Sequence, residues 1–348
     1  MKGNFRVKEP VIARNPPICF CRRATEALGR PDGNLNKPFR QNAPWLDDFH
    51  DIEGDTKPRP WKRTRVKLLW DDAALYVGAE LEDDQIWATV RQRDELIYVD
   101  NDFEVFLSPQ ATSHRYYELE MNAANAVWDL LMEKPQRDCV HRIIGWDVHG
   151  LQSAVAIDDS LNDPLANNKK WCVELVIPWF SLRECGLDES YPTRLAPRTG
   201  EVWRMNFSRV EWNVDVQDGR YVKRVDEAGA PLPENNWVWS PTGVIDIHMP
   251  EMWGDLVFTE HGEPMPLPVA DDAARWLLRR LYYREHAYCR EHGCFCTDAA
   301  SLLGAEAREA GLTVYVTPSQ FEGILKKDGV EWHIRQDGYV WSGGAFES

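Results

Sequence analysis

The sequence predicts a mainly β protein, with an antiparallel β-sandwich at residues 1–260 and a small α+β domain at residues 271–348. Two observations predict this fold class. Many short segments alternate apolar with polar residues and are separated by turn residues, which is typical of sandwich strands. A Pro-rich linker at residues 261–270 then separates these strands from a segment with helical periodicity. A chain of 348 residues is long enough for two domains.

The clearest strands form a hairpin around Asp71 and Asp72. Alternate residues on both sides of this turn are apolar: Val66, Leu68, Trp70, Leu75, Val77, Ala79 and Leu81. Such alternation predicts strands that bury one face. The pattern returns further along the chain at Phe103, Val105, Leu107, Tyr117, Leu119, Met121, Trp203, Met205 and Phe207. Other strands are predicted at residues 127–132, 150–157, 171–177 and 254–259.

The C-terminal domain is predicted to hold two helices and a three-stranded antiparallel sheet. Apolar residues at helical spacing predict a first helix at residues 271–291. Thr297 is a candidate cap for a second helix that ends near Gly311. The three strands are predicted at residues 312–316, 321–326 and 330–335, with Asp-Gly turn signals after the last two.

Composition excludes some classes of partner. The formal net charge of −16 predicts that the chain repels nucleic acid and anionic membranes. No run of apolar residues is long enough for a transmembrane helix. The N-terminal residues show no signal peptide, so the expected location is the cytoplasm, or the cell exterior if a leader has been removed. The oligomeric state stays open.

Eight cysteines are spread along the chain, and we expect free thiols. Two Cys-x-Cys pairs, Cys19 with Cys21 and Cys294 with Cys296, offer four sulfur ligands. One intervening residue is short for a structural zinc site, so we interpret these pairs as a coincidence.

Six segments, taken in order, resemble the carbohydrate-binding module family 9-like domain. They are LLWDDAALYVGAELEDD, DNDFEVFLSP, YELEMNAANAVWDL, WCVELVIPW, WRMNFSRVEW and MWGDLVF. The resemblance extends over roughly residues 5–260. It implies a β-sandwich that binds a mono-, oligo- or polysaccharide, often with structural calcium.

Polar residues on one face of two neighbouring strands are candidate sugar contacts. Alternation places Glu104 on one strand, and Glu118, Glu120 and Asn122 on the next, away from the apolar positions. The resemblance implies that Glu104 contacts sugar, and that Glu120 stands where the family has a sugar-binding Arg. The alternative interpretation is that this face is simply solvated.

The family also clamps a sugar ring between two aromatic side chains. The resemblance implies that Tyr98 is the first, and a tyrosine can stack on a sugar as a tryptophan does. The second falls near His248, where this chain has no Trp. His248 itself, or one of three tryptophans, is the candidate replacement: Trp128, Trp212 and Trp239. The alternative for each tryptophan is a place in the core.

Arg209, Glu211 and Trp212 form a further mixed patch at a strand end. Such a patch suits a polar ligand, and a surface ion pair beside a packed Trp is the alternative. For calcium, the resemblance implies a carboxylate ligand at Asp83, with Asp84 beside it. An oxygen-rich loop at residues 158–163 is a second candidate, although such loops are usually turns.

These residues predict non-catalytic carbohydrate recognition, which would place the protein in polysaccharide metabolism. One alternative is a glycoside hydrolase or lyase on the same sandwich, with Glu104 and Glu120 as acid and base if they lie about 5–10 Å apart. Another is a haem or redox role, because the sandwich is distantly similar to the DOMON fold. His248 and Met249 are then the candidate axial ligands.

Overall fold

The computed structural model describes residues 6–26, 29–110, 112–138, 141–185, 196–267 and 269–343. Its strands are β1 (Ile18–Arg23), β2 (His50–Asp51), β3 (Thr64–Trp70), β4 (Ala74–Glu82), β5 (Asp102–Ser108), β6 (Tyr116–Asn122), β7 (Val127–Lys134), β8 (His141–Ile143), β9 (Gln152–Ile157), β10 (Lys170–Pro178), β11 (Val202–Glu211), β12 (Val214–Gln217), β13 (Arg220–Lys223), β14 (Asn235–Val238), β15 (Gly254–Thr259), β16 (Thr313–Val316), β17 (Phe321–Lys327), β18 (Val330–Arg335) and β19 (Val340–Ser342). Its helices are α1 (Pro38–Gln41), α2 (Val269–His292), α3 (Ala299–Leu303) and α4 (Ala305–Ala310).

The fold is a β-sandwich made from one large curled sheet. Its strand order is β8-β7-β6-β5-β11-β15-β1-β3-β4-β10-β9, with β14 pairing with β11 and β2 at one side. Neighbours are antiparallel as predicted, except that β1 runs parallel to both β15 and β3. Strand β1 therefore joins the two halves of the sheet, which fold over one another.

One apolar core fills the space between the two halves. Every apolar position by which alternation predicted a strand is buried in this core, so those strand predictions are confirmed. Bulky aromatic side chains dominate it, and Trp70 and Trp171 are almost completely inaccessible to solvent. A smaller apolar cluster covers the opposite face of β5, β6 and β7, where Trp128 and Trp253 are buried.

The C-terminal domain packs α2 against its own sheet. The sheet has four strands rather than the predicted three, because β19 follows the turn after β18. The second predicted helix divides into α3 and α4 at Gly304, whose φ is +70°. Asp298, not Thr297, caps α3 by accepting a hydrogen bond from the amide of Ala300. The core of this domain also takes in Val7, Val244, Met249 and Met252 from the sandwich side.

The seven cysteines in the described residues are free thiols, and Cys139 lies outside those residues. Cys19 and Cys21 are in the sandwich core, whereas Cys294 is exposed. None of the described helices has the length and apolarity that a membrane span requires.

Candidate functional site

A buried acidic cluster lies on the face of β5 and β6 that points away from the main core. Glu104 stands directly opposite Glu120 in the antiparallel register. Asp102 lies on the same face, two residues before Glu104. Glu118 also lies there, two residues before Glu120. All four carboxylates are at least nine-tenths buried, and Asp102 is completely so. We define Asp102, Glu104, Glu118 and Glu120 as the acidic cluster.

Burial and mutual repulsion raise the pKa values of these carboxyl groups. One oxygen from each of Asp102, Glu104 and Glu120 lies within 4.8 Å of the others. Burial raises the pKa of Glu104 to about 7. Burial and then repulsion from Glu104 raise the pKa of Glu118 to about 8. The same two causes hold the pKa of both Asp102 and Glu120 well above the ordinary range. Near neutral pH the cluster can therefore donate hydrogen bonds as well as accept them.

Aromatic side chains form a rim beside the acidic cluster. Tyr98, in the turn before β5, is 43% exposed. Its ring centre lies 6.3 Å from that of the buried Trp128, with the planes tilted by 38°. The indole N–H of Trp212 donates to the carbonyl of Tyr98 at 3.0 Å, and Lys223 Nζ lies 3.2 Å from the centre of the Trp212 ring. The arrangement offers one exposed aromatic face next to polar groups that are shielded from water.

Asn122 shares the face but has its amide fully engaged. Its Nδ2 donates to the Val90 carbonyl and to Asp100, both at 2.9 Å. Its Oδ1 accepts from the amides of Ala124 and Ala126. The side chain holds the β6–β7 turn against the loop that carries Tyr98.

Arg209 and Glu211 lie in a different place from the acidic cluster. They continue the core-facing positions of β11 and are buried at one end of the sandwich. Arg209 Nη2 donates to Glu211 at 2.8 Å and to Asp83 at 3.3 Å, and Lys62 Nζ lies 2.8 Å from Glu211. These residues form an internal ion-pair network, so the structure does not bring them together with Glu104. Trp212, the residue after Glu211, points back to the rim.

The contacts of Asp83 do not fit the calcium site predicted at Asp83 and Asp84. Asp83 Oδ1 accepts from the ammonium group of Lys62 and from the amide of Gln85, and its Oδ2 accepts from Arg209. The charged side chains of Lys62 and Arg209 already balance the charge of Asp83. They also occupy the positions around its carboxylate in which a metal ion would bind. Asp84 is exposed, and its carboxylate also lies near Lys62, at 3.3 Å.

Two of the candidate second aromatic walls are buried elsewhere. Trp239 belongs to the sandwich core, 6.1 Å from Phe207 between ring centres. His248 is buried, with its Nδ1 2.9 Å from the hydroxyl of Tyr116 and its ring edge-on to Phe106. Met249, the other haem candidate, packs into the core of the C-terminal domain. Of the candidate second walls, Trp128 and Trp212 are the two that lie at the rim with Tyr98.

The family match falls on the strands that carry the acidic cluster. Residues 32–134 match the family model described as carbohydrate family 9 binding domain-like. Over this range the chain contains a domain that is similar to that family. Tyr98, Glu104, Glu120 and Trp128 all lie inside the matched range, whereas Trp212 lies beyond it.

Three solved structures are similar to this chain, and the first shares its fold. A candidate carbohydrate-binding protein from Bacteroides uniformis ATCC 8492 has 15% identity and a TM-score of 0.50, covering 70% of this chain and 100% of its own. Two structures of a family 9 carbohydrate binding module from Caldicellulosiruptor kristjanssonii, in complex with glucose and with cellotriose, have 14% and 12% identity and TM-scores of 0.42 and 0.41. They cover 71% and 72% of this chain, and 98% and 97% of their own. No curated protein matches the sequence.

Sequence reasoning left Asp102 and Lys223 out of the candidate site. Asp102 had a signal, because the alternation that selected Glu104 also places Asp102 on the same face. Lys223 had none, because it lies in the hairpin β12–β13, which is not among the predicted strands. Its position over Trp212 depends on tertiary structure.

His248 gives the protein a testable pH dependence. Burial lowers the pKa of His248 from an ordinary 6.5 to about 4. The unfolded chain therefore binds a proton that the folded chain refuses between these values, and stability is lost as the pH falls through that window. We expect His248→Gln to lose about 2 kcal/mol less of its unfolding free energy than wild type between pH 7 and pH 5.

Urea denaturation at the two pH values measures this difference. The matched control is the same substitution at the exposed His149, His149→Gln. Equal losses of stability in His248→Gln and wild type would show that His248 does not titrate in this way.

Proposed function

We propose that the sandwich binds carbohydrate without catalysing its conversion, at the aromatic rim above the acidic cluster. The observation that carries this proposal is the exposed ring of Tyr98 beside shielded carboxyl groups on the strands of the family match. A sugar ring presents C–H groups on its faces and hydroxyls at its edge. An aromatic face suits the first surface, and carboxyl groups suit the second.

Tyr98 and Glu104 are the proposed direct contacts. Tyr98 precedes β5 and is the exposed aromatic side chain of the rim. Glu104 stands on β5 itself and is six per cent exposed. With a pKa of about 7, it can accept from one sugar hydroxyl and donate to another near neutral pH.

The spacing of the carboxyl groups favours binding over glycoside hydrolysis. Retaining enzymes hold their two carboxyl groups about 5–5.5 Å apart on either side of the scissile bond, and inverting enzymes about 6.5–9.5 Å apart. Oxygens of Glu104 and Glu120 lie within 4.8 Å of one another, on one face of adjacent strands. This pair therefore lies just below the separation of the retaining enzymes, and both of its side chains are buried.

Isothermal titration calorimetry with glucose, cellotriose and a panel of other sugars tests the proposal. We expect Tyr98→Ala and Glu104→Gln each to weaken binding by about threefold to a hundredfold, since stacking contributes about 0.5–1.5 kcal/mol and a hydrogen bond to a charged group about 1.5–3 kcal/mol. No product should appear when the sugar is incubated with the protein.

Matched substitutions at exposed positions of the C-terminal domain serve as controls. Tyr315→Ala and Glu309→Gln should bind sugar as wild type does. Thermal melting of each variant checks that the fold is intact. Wild-type affinity in both Tyr98→Ala and Glu104→Gln would contradict the assignment of this face.

A further inference from the structure

We propose that a cleft between the sandwich and the C-terminal domain binds one phosphate group, with Arg279 as its main ligand. Arg279 lies on α2, and two further arginines line the cleft, Arg204 on β11 and Arg14 in the segment before β1. Two carboxylates, Glu251 and Asp272, complete its charged lining as far as the structure describes it. These residues differ from those of the aromatic rim and the acidic cluster, so the cleft is independent of the proposed sugar site.

Arg279 differs from the other buried arginines in the described part of the chain. The other four each donate to a carboxylate oxygen at 3.0 Å or less: Arg40, Arg137, Arg204 and Arg209. Arg279 is 3% exposed, yet the described residues place no carboxylate oxygen within hydrogen-bond distance of it. Oε1 of Glu251 lies 3.9 Å from its Nε, which is beyond that distance. Because an arginine stays charged and an unpaired buried charge is costly, Arg279 requires an anion.

The hydrogen bonds of Arg279 leave part of its guanidinium group without an acceptor. Nη2 donates to the hydroxyl of Ser113 at 2.9 Å and to the carbonyl of Gly338 at 2.6 Å. The ring of Tyr282 lies 5.1 Å away, so these three partners are all neutral. Nε and Nη1 are inaccessible to solvent and have no acceptor among the described residues. An anion in the cleft that Arg279 lines would supply the missing acceptor.

Glu251 cannot serve as that anion, because other donors already hold it. Arg137 Nη2 donates to both of its oxygens, at 2.7 and 2.9 Å. Tyr283 donates to the same carboxylate. The charge of Glu251 is therefore balanced by Arg137, and Arg279 is left outside this pair.

Asp272 is likewise engaged on the opposite side of the cleft. It accepts from Arg204 Nη2 at 2.7 Å and also from Arg14. Arg204 contacts Asp255 as well, at 2.9 Å. These two arginines and two carboxylates balance one another, so they provide no counterion for Arg279.

The size of the cleft limits the ligand to a small ion or group. Its volume is about 30 Å³. Since one water needs about 10–15 Å³, the cleft holds roughly two or three waters or one small oxyanion, and it is far below the roughly 300 Å³ of the smallest organic ligand pockets. Phosphate carries more charge than chloride or a carboxylate and presents oxygens in several directions. It therefore suits guanidinium groups that reach the cleft from α2, β11 and the N-terminal segment.

A bound phosphate group would strengthen the junction of the two domains. Arg279 already connects Ser113, in the loop between β5 and β6, to Gly338, in the turn before β19. A counterion beside Arg279 offsets the cost of burying its charge, so the junction should resist unfolding better when phosphate is bound.

Phosphate titration of the full chain tests the site. Protein in a phosphate-free buffer is titrated with sodium phosphate at constant ionic strength, followed by calorimetry and by thermal melting. Wild type should bind one equivalent and melt at a higher temperature in phosphate than in sodium chloride. Arg279→Met should bind phosphate at least about tenfold more weakly, because it loses a charged hydrogen-bond donor. Arg284→Met, at an exposed position of the same helix, should respond as wild type does.

Glucose 6-phosphate, with glucose as its control, distinguishes a free ion from a phosphate monoester. A response to inorganic phosphate alone assigns a free ion, and a response to both phosphates assigns a phosphate group that larger molecules can carry. Should Arg279→Met fail to fold, Arg279→Gln replaces it, since its amide keeps a hydrogen-bond donor. No response of wild type to either phosphate, or an equal response in the Arg279 variant, would overturn the site. Tyr98→Ala should respond to inorganic phosphate as wild type does, so failure of the sugar site and failure of this cleft are distinguishable.

Discussion

Glu174→Gln is expected to lower the free energy of unfolding by about 3–5 kcal/mol. The Glu174 carboxylate, on β10, is completely buried and accepts from Arg40 Nε at 3.0 Å and from Lys37 Nζ at 2.7 Å. It also accepts from the backbone amides of Asp32 and Gly33. Without its charge, the fully buried guanidinium of Arg40 has no counterion, and the segment that closes over β4 and β10 loses its anchor.

A double-mutant cycle, measured by urea denaturation, separates the contribution of the Arg40–Glu174 ion pair to the free energy of unfolding from that of packing. Arg40→Met alone should cost less than Glu174→Gln, because Lys37 still neutralises Glu174. The double variant should be more stable than the sum of the two losses implies. The exposed pair of Arg224 and Asp215 is the control, and Asp215→Asn should change stability little. A loss in Glu174→Gln as small as that control would refute the anchoring role.

Alternation in the sequence was sufficient to predict the core of the sandwich. A strand that buries one face must place apolar residues at every second position, and Phe103, Val105 and Leu107 do so in both sequence and structure. This local rule holds because each strand meets the same core along its whole length. The helix of the C-terminal domain was predictable for the equivalent reason at helical spacing.

Alternation could not reveal what covers the other face. The same pattern that placed Glu104 and Glu120 away from the core fits a solvated face equally well. Their burial comes from an apolar cluster that includes Trp253, which is distant in sequence from both β5 and β6. The weak acidity of the cluster follows from that cover, so it had no signature in local sequence.

Ion pairs between residues that are distant in the sequence could likewise not be predicted from the sequence. The partners of Arg209 include Asp83, 126 positions away along the chain. Sequence neighbours therefore predicted a surface patch of Arg209, Glu211 and Trp212, whereas tertiary structure separates the first two from the third. The alternation along β11 did carry a signal for Arg209 and Glu211, because Arg209 continues the core-facing positions that end with Phe207.

Arg137→Met is expected to lower the free energy of unfolding by about 3–5 kcal/mol. Arg137 is buried where the sandwich meets α2, and its Nη2 donates to both oxygens of Glu251, at 2.7 and 2.9 Å. Its Nη1 also donates to the carbonyl of His248 at 3.1 Å. Tyr283 of α2 donates to the same Glu251 carboxylate, so one buried anion joins both domains. Removing the guanidinium leaves that anion with too few partners.

Acid denaturation distinguishes loss of this ion pair from loss of packing. Although burial alone would raise the pKa of Glu251, the attraction of Arg137 and then Arg279 outweighs it and lowers the pKa to about 2. The resulting stabilisation is fully present above pH 4.5 and is lost as the pH falls toward 2. Stability of Arg137→Met should therefore fall less steeply than that of wild type across this window. Parallel losses in the two proteins would mean that Arg137 acts through its volume, because a purely steric contribution does not change with the protonation of Glu251.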